Sequence, residues 1–266
     1  MDRKLSFYGV GVMGSAVLGG VLASGHRPDD VRVTDRFADT AAAVADEHGV
    51  QAVDATDAAR EGGVHVIAVK PADVAALLDE IASHLGDGDV VVSLAAGIGT
   101  AAIEEPLPEG VHVVRVMPNT PALVGEGMAA VAGGARATDA DVDLVVELMS
   151  ACGDAVAVKE KDLDAVTGVS GSGPAYVFYL AEAMIEGGVL EGLTRPVATR
   201  LAVQTILGAA RMMAESDDSA TVLRERVSSP GGTTMAALHH LDERAVRAAV
   251  AGAVRSAARR SAELGS

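Results

Sequence analysis

Lys4-Leu5-Ser6-Phe7-Tyr8-Gly9-Val10-Gly11-Val12-Met13-Gly14 decides the fold. An apolar strand, Lys4 to Tyr8, runs straight into Gly-x-Gly-x-x-Gly, and the Ala/Leu/Val-rich stretch Ser15 to Ser24 reads as a buried helix. A second strand, Val31 to Thr34, ends in Asp35, which stands 21 residues after Gly14. That is close to where a dinucleotide fingerprint expects an acidic residue at the ribose. The glycine motif alone is weak, since a structural turn uses the same residues. Strand, turn, helix, second strand and terminal acid together point to a dinucleotide.

Working outward, the alternation continues. Ala38 to His48 reads as a helix, Val50 to Val53 and Val64 to Val69 as strands, and Asp73 to Leu85 as a further helix. Val90 to Ser93 is a buried strand opening into Leu94-Ala95-Ala96-Gly97, and Val111 to Val116 ends at Met117-Pro118-Asn119-Thr120-Pro121. Two more strands, Met128 to Val131 and Ala155 to Val158, flank the helix Asp139 to Ala151. Valine-rich strands alternating with helices indicate an α/β class: a Rossmann-type, doubly wound, mostly parallel sheet. Ligands of such sheets lie beyond the carboxyl ends of the strands. The segments GVGVMG, AVKP, LAAG and MPNTP are therefore expected to face one crevice. Lys70 is read as a cofactor-side contact, with a solvated strand end as the plainer alternative.

Past Lys161 the strand signals vanish and long helices follow, about Asp162 to Gly187 (interrupted by Gly171-Ser172-Gly173-Pro174), Arg195 to Glu215, Ala220 to Val227, Thr234 to Leu241 and Glu243 to Leu264. The boundary is set near residue 158, giving a dinucleotide-binding domain over 1–158 and an all-α domain over 159–266. Val203, Ile206, Leu207 and Ala210 form an apolar stripe, yet the opposite face is also Ala, Met and Thr. Helices apolar on most sides imply an intertwined homodimer, whose second subunit would complete the site. Between two of them lies Val227-Ser228-Ser229-Pro230-Gly231-Gly232-Thr233-Thr234. Gly231 and Gly232 permit positive φ and Thr233 or Thr234 suits an N-cap, so this is either an ordinary helix turn or a seat for a small carboxylate.

Composition narrows the partners. The net charge of −16 argues against nucleic acid and anionic membranes. Of 21 cationic residues, only Lys4, Lys70, Lys159 and Lys161 are lysine. An acidic, lysine-poor surface suggests adaptation to high salt. Cys152 is the one cysteine, read as a buried inert thiol, and no Cys-rich metal site exists. The first residues lack a secretory h-region and no apolar run reaches membrane-spanning length, which makes the cytoplasm the default.

AVTGVSGSGPAYVFYLAEAM, LAVQTILGAA and RVSSPGGTTMAALHHLD, with GVGVMG, AVKP and MPNTPALVGEGM before them, resemble pyrroline-5-carboxylate reductase over nearly the whole chain. The resemblance implies hydride transfer from NADPH or NADH to the C=N bond of 1-pyrroline-5-carboxylate, giving L-proline. It places the substrate carboxylate on Ser229, Gly232, Thr233 and Thr234, with Thr234 also reaching the ring nitrogen to assist its protonation. Cofactor contacts fall on Gly9, Gly11, Val12, Met13 and Gly14 at the pyrophosphate, Asp35 and Arg36 at the adenosine ribose, and Ala68, Lys70, Pro71, Ala95 and Ala96 along the nicotinamide half. Two departures bear on the cofactor. Many relatives carry Ser, Asn or Thr where this chain has Asp35, which would repel a 2′-phosphate although Arg36 could compensate. Relatives also often have an Asn where Asp54-Ala55-Thr56-Asp57 has none. Asp35 leans toward NADH.

A protonated imine is already a good hydride acceptor, so its reduction needs positioning more than a strong acid. That agrees with a second domain in which no lysine follows Lys161 and the only histidines are the adjacent, surface-read His239 and His240. The related β-hydroxyacid dehydrogenases use a lysine on their first long helix, where this chain offers Tyr176 and Tyr179, read as packing. Such a dehydrogenase or another imine reductase is the alternative enzyme. A non-catalytic dinucleotide-binding regulatory protein is the alternative of another class, opposed by the hydroxyls of Ser229 and Thr234.

Overall fold

Strands with valine on both faces need cover on both sides, and the computed structural model, which describes residues 3–265, provides it. The strands are β1 (Leu5–Tyr8), β2 (Val31–Thr34), β3 (Gln51–Ala52), β4 (Val64–Ile67), β5 (Val90–Ser93), β6 (His112–Met117), β7 (Gly127–Gly133) and β8 (Gly153–Ala157). They form one sheet in the order β3-β2-β1-β4-β5-β6-β7-β8, parallel throughout except for β6 against β7. The doubly wound expectation holds, with the order reversing between β1 and β4. The accompanying helices are α1 (Val12–Ala23), α2 (Ala38–His48), α3 (Ala55–Arg60), α4 (Val74–Ile81), α5 (Thr100–Glu104) and α6 (Asp139–Ser150). α3 and α5 are not foreseen by the sequence pattern.

β1 shows how the layers form. Leu5 and Phe7 join Leu18, Val21 and Met149 in one core, and Tyr8 joins Ile67, Leu78, Ile81 and Ile103 in the other. This is the two-residue period of a strand. Ser6 is buried on the Tyr8 side and donates to the Ala58 carbonyl at 2.9 Å, so its hydroxyl is matched. α1 approaches the end of α6 through Gly20, where an added Cβ would come 2.8 Å from the Ala151 carbonyl oxygen. Cys152 is buried beside it, and burial pushes its thiol pKa up, so it behaves as an apolar filler.

The connection after β8 is fastened back onto the sheet. Glu160 accepts from both the backbone N–H and the hydroxyl of Thr100, at 2.7 Å each, and Arg115 lies 3.4 Å away. Burial alone would raise the Glu160 carboxyl, but the bonds from Thr100 and Arg115 outweigh it and hold the pKa below the ordinary range. Asp141, in the capping box at the start of α6, is likewise raised by burial and lowered more by Thr138 and His112. A depressed carboxylate stabilises the fold above its unfolded pKa and loses that contribution as pH falls through its folded value. The chain is therefore expected to lose stability progressively below about pH 4, followed by far-UV circular dichroism. Glu160→Gln combined with Asp141→Asn should flatten that acid limb.

The chain divides into two compact units, one running to Ser172 and including the C-terminal stretch from Ser256, the other Gly173–Arg255. α7 (Leu163–Val166) and a π-turn over Thr167–Gly171 end the first stretch. The second unit holds α8 (Gly173–Leu190), α9 (Arg195–Glu215), α10 (Ala220–Arg226), α11 (Thr233–Glu243) and the first part of α12 (Val246–Leu264). α8 and α9 pack closely at Gly188, whose added Cβ would meet Ala198 Cβ at 3.1 Å. Otherwise this unit has almost no core of its own, since only Ala198 and Ala202 are buried on α9 and no residue of α8, α10 or α11 is. Phe178, Leu190, Leu201, Val203 and Met212 are exposed. Tyr179, expected to pack, is 77% exposed in the single chain. Among the described residues, no helix is long and apolar enough to cross a membrane.

Candidate active site

Three ladder bonds continue past the strand ends: Gly9 N to Thr34 O (2.8 Å), Ala68 N to Tyr8 O (2.8 Å) and Leu94 N to Ile67 O (2.9 Å). They align the turns after β2, β1, β4 and β5 at one edge of the sheet, so that Asp35, GVGVMG, AVKP and LAAG are neighbours there; MPNTP, the other segment expected at this edge, follows β6, the parallel strand next to β5. Each motif glycine has its own cause. Gly9 sits at φ +91°, and an added Cβ would lie 2.9 Å from the Ala68 carbonyl. Gly14 faces the Gly9 carbonyl so closely that a Cβ would be driven into it. Gly11 is different, because a Cβ there would meet nothing within 4 Å. Gly11 is also the N-cap of α1, which has no side-chain cap and no acidic residue in its first turn. Gly11 and Val12 are exposed, so the start of α1, with its unpaired N–H groups and the positive end of the helix dipole, borders open space, an arrangement that accepts a pyrophosphate.

Asp35, at the end of β2, accepts Val10 N–H at 3.1 Å on Oδ2 and Phe37 N–H at 3.0 Å on Oδ1. Arg36 is exposed, 3.5 Å from Asp73 Oδ2 and 4.7 Å above the Phe37 ring centroid. After β4, Lys70 and Pro71 are exposed, and after β5 Ala95 is buried while Ala96 is exposed. The tail of α12 supports this last turn: Gly97, at φ +77°, has the Leu264 carbonyl oxygen 3.1 Å from its Cβ position.

In the second unit the loop VSSPGGTT reverses the chain at Gly231, φ +68°, and Gly232 N donates to Ser229 O at 3.0 Å. The N-cap of α11 is Gly232 with ordinary negative φ, not Thr233 or Thr234. A Cβ at Gly232 would displace the Ser229 hydroxyl from its position, so the glycine leaves that hydroxyl where it stands. The shift of one residue places both threonines inside the first turn. Ser228 spends its hydroxyl on the Arg224 carbonyl at 2.7 Å, whereas those of Ser229, Thr233 and Thr234 make no hydrogen bond among the described residues. Three uncommitted hydroxyls and an uncapped helix start suit a small carboxylate.

Residues 160–264 match the family model for pyrroline-5-carboxylate reductase dimerisation, and residues 4–97 that for NADP oxidoreductase, coenzyme F420-dependent. A pyrroline-5-carboxylate reductase of Corynebacterium melassecola is 43% identical, with 98% of each chain covered. The chain belongs to the pyrroline-5-carboxylate reductase family. Among solved structures, the pyrroline-5-carboxylate reductase of Coxiella burnetii superposes with a TM-score of 0.96 at 34% identity, all of both chains covered. The Plasmodium falciparum pyrroline carboxylate reductase, solved with NADP bound, gives 0.85 at 31% identity over 100% of this chain and 99% of that one.

In this member of the reductase family, a polar clamp that the sequence pattern does not foretell lies next to the MPNTP turn. Asn119, almost fully buried, accepts Met128 N–H at 2.8 Å and donates to Ser170 O and Oγ, each at 3.2 Å. It ties the end of β6 to the start of β7 and to the π-turn ahead of Gly173. The asparagine inside an otherwise proline-braced turn was the available signal, but its partner 51 residues away has no local signature. Asn119→Ala leaves the Met128 N–H without its acceptor and is expected to cost about 1–3 kcal/mol, measurable by urea unfolding.

Proposed function

We propose that the chain reduces 1-pyrroline-5-carboxylate to L-proline with a nicotinamide cofactor, NADPH or NADH, in the cytoplasm. The observation that carries this is the loop Ser229–Thr234: in a chain similar to these reductases over its whole length, its hydroxyls remain free at a helix start. Ser229, Gly232 and Thr233 hold the substrate carboxylate through backbone N–H groups and hydroxyls. Thr234 adds a hydroxyl to that contact and donates to the ring nitrogen, favouring its protonated form. The cofactor pyrophosphate rests on Gly9, Gly11, Val12, Met13 and Gly14, its ribose on Asp35 and Arg36, and its nicotinamide half on Ala68, Lys70, Pro71, Ala95 and Ala96. Bound there, the reduced nicotinamide supplies the hydride. The chain's own work is positioning and exclusion of water, which suits an acceptor activated by one proton.

The domains divide near residue 158, the first binding dinucleotide and the second binding substrate and pairing with a second copy. The exposed apolar helices of a unit without its own core support a homodimer through the C-terminal helices, with the partner completing the site. An isolated monomer of full activity would contradict this. The −16 charge is the ground for reading the chain as adapted to high salt; a fold and rate unchanged on removing molar KCl would refute it. Substrate class is tested by a panel: pyrroline-5-carboxylate should be reduced and the product should elute as L-proline on a chiral column. Oxidation of 3-hydroxy acids without imine reduction would favour a hydroxyacid dehydrogenase instead.

A further inference from the structure

We propose that Asp35 makes the glycine turn selective for NADH over NADPH, an inference that rests on the dinucleotide site proposed above. The Asp35 carboxylate is held by two backbone donors, Val10 N–H at 3.1 Å and Phe37 N–H at 3.0 Å, and is half-buried at the end of β2. Because Val10 lies inside the glycine motif, the carboxylate is anchored to the very turn that borders the open space at Gly11. Each oxygen uses one lone pair in these bonds and keeps another for a ribose hydroxyl. A 2′-phosphate at that place sets its added negative charge against a carboxylate that cannot swing away without releasing both N–H groups.

Arg36 is the neighbouring cation that would offset this charge, and it is directed elsewhere. Its guanidinium pairs with Asp73 at 3.5 Å and stacks over Phe37 at 4.7 Å. Both contacts are exposed and weak, so they bias Arg36 without locking it. The fixed carboxylate therefore decides the preference, and Arg36 sets how large it is.

The test is titration of the intact chain with NADH and with NADPH, followed by calorimetry because the chain has no tryptophan. NADH should bind tighter by about tenfold or more at the lowest KCl concentration that keeps the chain folded. The ratio should shrink as KCl is raised, since screening weakens a like-charge repulsion. Asp35→Asn should bring the two affinities together by strengthening NADPH binding. NADPH binding as tight as NADH in the unaltered chain overturns the inference. So does a preference that salt leaves unchanged, and that measurement serves even if Asp35→Asn does not fold. Failure of both nucleotides to bind removes the dinucleotide site itself, and the inference with it.

Discussion

Gly14→Ala is expected to abolish dinucleotide binding and to destabilise the fold by about 3 kcal/mol or more. The cause is a collision with backbone, not with a movable side chain. The new Cβ would be driven into the Gly9 carbonyl and would lie 3.2 Å from Ala68 Cβ. Gly9 is pinned in turn by its bond to Thr34 O and by the Ala68 backbone against it. Relief requires α1 to withdraw from β1, opening the core that contains Phe7, Val17 and Leu18. Gly11→Ala is the control within the same motif. Its Cβ enters open space, so thermal unfolding should be nearly unchanged while nucleotide affinity falls. Wild-type affinity in Gly11→Ala would remove that glycine from the cofactor cradle.

The second large effect is expected at Thr234. Thr234→Ala should lower kcat by about 100-fold while leaving NADH affinity and the unfolding midpoint near wild type. The structure supplies the reason for separating these effects. Gly232, not a threonine, caps α11, and the Thr234 hydroxyl has no structural bond to lose. Thr234→Ser keeps the hydroxyl and should recover most of the rate. An unchanged kcat in Thr234→Ala would take Thr234 out of the protonation step.

These two sites differ in how far they are legible from sequence. The glycine motif could be read because its causes are local: strand, tight turn and helix follow in order, and Asp35 falls at the expected distance. β2, α2, β5 and α9 begin and end where the valine runs and apolar periodicity place them. α3 and α5 escaped because six and five residues are too few to show a helical period. α3 is held by tertiary burial of Ala58 and Ala59 and by the Ser6 bond to Ala58 O. The N-cap of α11 was misplaced because threonine is a good capping residue in general, whereas here the left-handed Gly231 turns the chain one position earlier. Asn119 with Ser170, and Glu160 with Thr100, pair residues 51 and 60 positions apart and have no signature in sequence. Only the fold brings them together.

The central claim is that a chain with no lysine after Lys161 reduces an imine by positioning it on Ser229–Thr234. The most direct measurement mixes the purified chain with racemic pyrroline-5-carboxylate and NADH or NADPH, at low and at molar KCl, and follows the loss of nicotinamide absorbance. Substrate-dependent loss with at least one cofactor, matched by L-proline formed, is the predicted result. No loss with either cofactor at any salt concentration would contradict it.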